Sequence, residues 1–468
     1  MMAAEDNSTF DQVAGATVIV GLGKTGLSCA RYLTQRGETF VVVDSRSNPP
    51  GLKQLLSVAP NVQCYLGGFE PLVFDQAQRL IVSPGVSVKE SVIANARAHG
   101  AEVLGDIALF AAHADAPIIA ITGSNGKSTV TTLLGAMAEH AELKVKVGGN
   151  LGEPALNLLP GKTESELSLD KTDYYILELS SFQLETTDNL KAYAAVVLNI
   201  SADHMDRYVN VQEYVDAKKN IYLDCQNKVI NRDDELVAGM TSSNKTEVSE
   251  NVVSFGMGMP PTTKDFGIES RGDKAWLVKG SQLLMRVDEI GLPGRHNQAN
   301  ALAALALGEV MGIDVDDMLH VLRHFSGLPH RMQLVAKIRE IDWYNDSKGT
   351  NVGATVSALA GMPGNKILIA GGDGKGADFN PLREAVIANN VRVVILIGKD
   401  AECIESVLSG VVQIERAENM TAAVVLADKL AKAKDKVILS PACASFDMFS
   451  DYQHRGEVFM ESVRSLPS

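Results

Sequence analysis

Short apolar runs alternate with longer amphipathic stretches over most of this chain. Between 17 and 104, ATVIV, TFVVVD, RLIVSPG and AEVLG read as strands, and the text between them has helical spacing. Apolar runs closed by glycine or proline suit strands buried on both faces, and their alternation with helices predicts a parallel sheet with crossover connections. HADAP, ending at Pro117, reads as a linker. Beyond it IIAIT, YYILEL and AAVVLNI predict a second parallel series, with helices after 127 and across 211–223. The stretch 228–290 changes character: NVVSF and AWLVKG are short and alternating, which predicts strands and hairpins added to the central unit. A helix with an apolar face, ALAALAL, follows GRHNQAN. GLPH at 327–330 reads as a hinge, and KILIAGG, VRVVILIG and KVILSP predict a third open sheet. The expected fold is α/β in three domains. With GLGKTG after its first strand, 1–105 reads as a Rossmann-like unit; with GSNGKST after its first strand, 106–327 reads as a P-loop-type ATPase unit with added strands; and 328–468 reads as a second Rossmann-like unit.

Composition narrows the partners. A chain of 468 residues is too long for one core. Its net charge of −14 argues against nucleic acid, whose phosphates it would repel. Small anions are not excluded, because lysines, helix N-termini and Mg²⁺ act locally. The start, MMAAEDNSTFDQ, is acidic and reads as no signal peptide, and no apolar run reaches the ~18 residues of a membrane span. Five scattered cysteines (Cys29, Cys64, Cys225, Cys403, Cys443) lack C-x-x-C spacing, which fits a reducing compartment. A soluble, cytoplasmic protein is expected.

Two glycine turns carry the candidate chemistry. GLGKTG at 21–26 follows a strand, fits G-x-G-x-x-G, and is followed about 20 residues on by Asp44 at the end of the next strand. It predicts a diphosphate-bearing nucleotide on the first unit, NAD being one candidate, with the acid on a ribose. GSNGKST at 123–129 is a shortened P-loop between a strand and a helix. Its backbone N–H groups can wrap a phosphate, Lys127 can neutralise the β/γ oxygens, and Ser128 or Thr129 can offer a hydroxyl to Mg²⁺. Glu178 ends an apolar strand that has no structural need of an acid, and His204 follows another strand in SADHMD, so both are candidate metal ligands. In VQEYVDAKKNIYL the residues Val211, Tyr214, Val215, Ile221 and Tyr222 form one stripe with Lys218 near its centre. Such a lysine snorkels to water, pairs, or loses its charge, in which last case its amine can take up CO₂ as a Mg²⁺-binding carbamate.

The motifs TGSNGKST, ELSSFQLE, NISADHMDRY, AKKNIY, GRHNQANALAA, GLPHRMQ and NDSKGTN, in this order, resemble the Mur ligases, cytoplasmic enzymes that add amino acids to the peptidoglycan precursor at the expense of ATP. The resemblance runs from about residue 17 to the C-terminus. Within the family it is to the members adding D-glutamate to UDP-N-acetylmuramoyl-L-alanine. An intact glycine turn, GGDGKGADF and SPACASFDMF support this, and the D-N-P sequence of the diaminopimelate- and lysine-adding members is absent. The resemblance implies that the first turn grips UDP through Gly21, Gly23, Lys24, Thr25 and Gly26, with Thr25, Ser45 and Arg46 near uracil and Asn150 on the diphosphate or sugar. It implies an ATP site of Gly123, Ser124, Asn125, Gly126, Lys127, Ser128 and Thr129. Asn297 and Asn300 would lie at adenine, and Arg331 and Asp346 would close from the third unit. It further implies two Mg²⁺ held by Ser128, Glu178, His204 and carbamylated Lys218, and D-glutamate held by Thr350, Lys375, Ser445, Phe446 and Tyr452. A monomer is expected. Lys24, Ser45, Phe446 and Tyr452 stand where the family pattern has Leu, Thr, Leu and Phe.

Plainer readings stand beside these. Asn297 and Asn300 can be helix caps, NDSKGTN a turn with a cap, Arg331 a surface pair and Lys375 a solvated loop charge. Another Mur-type amino-acid ligase, a nicotinamide oxidoreductase and a non-catalytic nucleotide switch remain the alternatives.

Overall fold

The computed structural model describes residues 15–161, 171–240, 251–292 and 294–467; the acidic start read above lies outside them. Its architecture is α/β, built on three sheets. The first holds β1 (Thr17–Val20), β2 (Phe40–Asp44), β3 (Gln63–Leu66), β4 (Arg79–Val82) and β5 (Glu102–Leu104), all parallel in the order β3-β2-β1-β4-β5. Every residue of β1 is buried. Val18 and Val20 join the cluster of Phe74 and Ile93 on one face, while Ile19 joins that of Leu27 and Leu33 on the other. Two covered faces explain the unbroken apolar text.

The second sheet holds β6 (Ile118–Thr122), β7 (Val145–Gly149), β8 (Tyr174–Glu178), β9 (Ala194–Val197), β10 (Asn227–Asn231), β11 (Val252–Phe255), β12 (Phe266–Arg271), β13 (Lys274–Lys279) and β14 (Gln282–Arg286). Its order is β14-β13-β12-β11-β10-β9-β6-β8-β7. The added strands are of two kinds: β10 and β11 extend the parallel sheet, and only β12–β14 form antiparallel hairpins. The helix Arg295–Val310 packs on this sheet and is buried at every position from Ala301 to Gly308, so it is apolar all round rather than on one face.

The third sheet, ordered β15-β16-β20-β17-β18-β19, comprises β15 (Gln333–Ile338), β16 (Ile341–Asn345), β17 (Lys366–Gly371), β18 (Val391–Ile397), β19 (Gln413–Arg416) and β20 (Lys436–Leu439). Only β15 runs antiparallel to its neighbour. In each unit the polar, glycine-rich text falls at the carboxyl ends of the parallel strands, where crossover helices begin and ligands of open α/β sheets bind. No described helix is long and apolar enough to cross a membrane.

Candidate active site

Three adjoining cavities lie where the units meet. The first, of about 770 Å³, is lined by Gly21, Gly23, Lys24, Thr25, Ser45, Arg46 and Asn150 among others. Gly26 is absent from this lining. A Cβ there would run into the Gly21 carbonyl, so this glycine permits close packing of helix on turn and does not face the cavity. Asp44 also plays a different part from the ribose acceptor expected of it. It is buried, accepts the Leu22 N–H at 2.7 Å, and takes Arg46 in a fork at 2.8 and 2.7 Å. Burial pushes its pKa up, but the Arg46 fork and the backbone N–H groups outweigh that and leave it below the usual carboxylate range. Asp44 therefore aims Arg46 at the cavity.

The second cavity, of about 430 Å³, is lined by Asn125, Gly126, Thr129, Asn297, Asn300, Arg331 and Asp346, with Leu198, Phe255 and Leu292 as apolar walls. The helix Lys127–His140 begins here from Gly126, whose φ of 87° is left-handed and whose Cβ position is filled by the Asn300 amide. Neither asparagine caps its own helix. Gly294 is the N-cap residue, it makes no side-chain cap bond, and Asn300 donates to Asn297 Oδ1 at 3.2 Å. Arg331 is no surface pair, for its Nη2 donates to Ser128 Oγ at 2.7 Å across the boundary between the second and third sheets. Burial raises the Asp346 carboxyl to about 6, and it accepts from Ser440 Oγ at 2.8 Å and the Met332 N–H at 3.2 Å.

The third cavity, of about 420 Å³, joins the other two and gathers Ser124, Lys127, Ser128, Asn150, Glu178, His204, Lys218, Thr350, Lys375, Ser445, Phe446 and Tyr452. Gly123 is outside all three linings; it packs against Leu198 and offers its carbonyl to two lysines. Lys127 donates to the Gly123 and Ser124 carbonyls at 2.7 and 2.9 Å, and burial lowers its pKa. Glu178 is buried. Its Oε1 accepts from Asn150 at 2.6 Å, while its Oε2 is buried with no hydrogen-bond partner. A carboxylate oxygen left so in a polar cavity fits a cation ligand. His204, at φ 59°, meets the Phe182 ring edge-on at 4.7 Å, and burial lowers its pKa.

Lys218 does not snorkel. It is 1% exposed at the end of the helix Val211–Lys219, with Nζ donating to Gly123 O at 3.0 Å and Thr122 Oγ1 at 3.2 Å. Burial, and then the nearby Lys127 charge, hold its pKa well below the ordinary lysine value. Among the described residues no three His, Cys, Asp or Glu side chains converge on a cation position. A metal here would draw on the mixed set Ser128, Glu178, His204 and a Lys218 made anionic.

Two residues that escaped the motif reading are central. Lys348 lines all three cavities, its Nζ lies 3.9 Å from the Tyr452 ring centroid, and burial lowers its pKa to about 8. Asn351 caps the helix Val352–Ala360 through the Ala354 N–H, and its amide also donates to Asp203 Oδ2 at 3.0 Å. NDSKGTN is thus both a cap and a cavity wall. The sequence cue was a lysine in a polar loop just past a strand end; the strand itself, IDWYN, is too mixed to read.

Family models described as "Mur ligase MurD-like, N-terminal domain", "Mur ligase middle domain" and "Mur ligase, glutamate ligase domain" match residues 15–105, 121–308 and 330–443. The UDP-N-acetylmuramoylalanine–D-glutamate ligase of Nitrosococcus oceani is 50% identical over 459 residues, 98% of each chain. That of Coxiella burnetii is 48% identical over 454 residues, covering 96% of this chain and 99% of its own. Solved structures of similar fold include MurF from Acinetobacter baumannii (TM-score 0.60, 16% identity, 97% of this chain and 92% of that one). Another is the UDP-N-acetylmuramate–alanine ligase MurC from Thermotoga maritima (TM-score 0.59, 17% identity, 96% and 99%).

Proposed function

This chain belongs to the Mur ligase family, and on that premise we propose that it joins D-glutamate to UDP-N-acetylmuramoyl-L-alanine, forming ADP and phosphate. The observation that carries the reading is the continuity of the three cavities around the phosphate loop, which supports a UDP handle, a triphosphate and an amino acid meeting at one point. The units assigned to them are 1–105, 106–327 and 328–468.

A carboxylate acylates poorly because oxide would have to leave. In the proposed route an oxygen of the substrate's alanyl carboxylate attacks the γ-phosphorus, the bond from that phosphorus to the β,γ-bridging oxygen breaks, and ADP departs. The neutral amine of D-glutamate then attacks the acyl carbonyl, sheds a proton, and expels phosphate. Both steps bring anions together, so charge must be neutralised at the phosphate loop, which is the work of Lys127. Arg331, bonded to Ser128, supplies a second fixed cation from the third unit. Two Mg²⁺ would add the same neutralisation when held by Ser128, Glu178, His204 and carbamylated Lys218. Thr350, Lys375 and Ser445 are assigned the D-glutamate carboxylates, Phe446 and Tyr452 the walls of that subsite. Nucleotide contacts fall to the residues of the second cavity and UDP contacts to those of the first. Gly26 acts in the UDP site only by letting the turn close. The protein is proposed to act as a cytoplasmic monomer.

ADP release, followed with each substrate omitted in turn, tests the assignment. Full turnover is expected only with ATP, the UDP-sugar and D-glutamate together; turnover without an amino acid would favour a nucleotide switch, and absorbance at the reduced nicotinamide band a dehydrogenase. Arg46→Ala removes from the wall of the first cavity the guanidinium that Asp44 holds there, so KM for the UDP substrate is expected to rise ~10–100-fold, as for loss of a charge-assisted bond. KM for ATP should stay within a factor of ~3. Equal rises in both constants would contradict the division of labour.

A further inference from the structure

The two glycine turns must be held in register, since a substrate gripped by one presents its carboxylate to the triphosphate aimed by the other. We propose that Arg207 is the positioning residue that sets this register; the inference rests on the functional reading above.

Arg207 sits three residues after His204, with its side chain 13% exposed. Both of its terminal nitrogens are engaged. Nη1 donates to Pro84 O at 2.9 Å, and Nη2 donates to Val86 O at 3.2 Å and to Glu185 Oε2 at 2.6 Å. The guanidinium carbon lies 4.3 Å from the centroid of the Phe182 ring, the same ring that meets His204. Pro84 and Val86 belong to the turn after β4 in the first unit, and both line the UDP cavity. That turn is fastened to the glycine turn directly: Ser83 Oγ donates to Gly21 O at 2.9 Å, and Ser83 and Val86 stand 3.1 Å from the place a Gly21 Cβ would take. A continuous path therefore runs from Gly21 through Ser83–Val86 and Arg207 to Phe182 and His204.

Lys89 and Glu213 pair across the same boundary at 2.9 Å, but that pair is exposed and contributes little to register. Arg207 differs because carbonyl, carboxylate and ring contacts all act on one partly buried planar group, and a lysine ammonium cannot reproduce that fork. Neither the UDP grip nor the phosphate loop is made of Arg207. Its loss should leave each ligand bound and misplace the two reacting atoms relative to one another, and a misplacement of about 1 Å can cost ~10²-fold in rate.

The test compares R207A and R207K with the unaltered chain in melting temperature, UDP-substrate Kd, ATP KM and kcat. For R207A, kcat should fall ~30-fold while UDP-substrate Kd and ATP KM stay within ~3-fold; R207K, keeping the charge without the fork, should still lose ~10-fold in kcat. A kcat within ~3-fold of the unaltered chain in both variants, or a loss confined to UDP-substrate affinity, overturns the proposal. If R207A does not fold, R207K decides on the same criteria. If neither yields folded protein, Arg207 is a folding residue and the proposal falls. An unaltered chain that forms no ADP from the three substrates would instead overturn the functional reading, and this inference with it.

Discussion

Replacing Lys127 by alanine is expected to lower ADP formation by at least ~10³-fold, the scale of removing a fixed cation from a phosphoryl-transfer site. Among the described residues Lys127 Nζ makes no direct ion pair; it rests on the carbonyls of Gly123 and Ser124 at the start of the helix Lys127–His140, with Glu178 and Asp203 acting on its charge from further off. An ammonium held there by fixed carbonyls meets developing phosphate charge with little reorganisation. The first cavity, proposed for UDP, is lined by other residues, so binding of the UDP substrate should persist within a factor of ~3 by calorimetry. Loss of both activities would mean that the two turns do not work separately. Undiminished ADP formation would remove Lys127 from the chemistry.

Lys218→Ala should cost nearly as much, ~10³-fold in kcat, if the side chain serves as an anionic metal ligand. Opposing effects bear on its charge. The Tyr214 ring, 4.7 Å from Nζ, favours the ammonium by ~0.5–2 kcal/mol. Burial works against it by several kcal/mol, and Lys127 adds like-charge repulsion. Burial wins, so a larger share of the amine is neutral near pH 7 than for an exposed lysine. Because its pKa is lowered, the neutral amine that reacts with CO₂ appears at lower pH than for an exposed lysine, and the carbamate should appear with it. Turnover should therefore fall in CO₂-free buffer and recover with bicarbonate, while short carboxylates should partly restore the alanine variant. Full activity of Lys218→Ala, or indifference of the unaltered chain to CO₂, would retire the carbamate.

Strands buried on both faces were legible in the sequence because their text is continuously apolar, as in β1, β2, β6, β8, β9, β17, β18 and β20. The ones passed over lie mostly at sheet edges, where one side meets water: β3 (QCYL), β7 (VKVGG), β15 (QLVAKI) and β19 (QIER). β16 lies inside its sheet but alternates buried and half-buried positions, so IDWYN lacks a run. The helix expected over 211–223 ends at Lys219 and tightens to a 3₁₀ turn at Asn220–Tyr222, yet Lys218 keeps its place in the buried stripe. In the site, residues at strand ends could be found because a charge there has no other local cause. Lys348, Asn351 and Arg207 could not, since their roles depend on partners far along the chain: Arg207 reaches Pro84 across 123 positions. Local text also suggested partners that geometry replaced. Asp44 turned from a ribose to Arg46, and Gly26 from the ligand to the backbone of its own turn.

In the proposed reaction the phosphate loop aims a triphosphate at the carboxylate of a substrate anchored by the first glycine turn. Its most direct test is turnover of UDP-N-acetylmuramoyl-L-alanine carrying ¹⁸O in the alanyl carboxylate, with ATP and D-glutamate, followed by mass analysis of the released phosphate. Acyl-phosphate formation predicts one labelled oxygen in each phosphate. Unlabelled phosphate, the mark of attack by water, would contradict it.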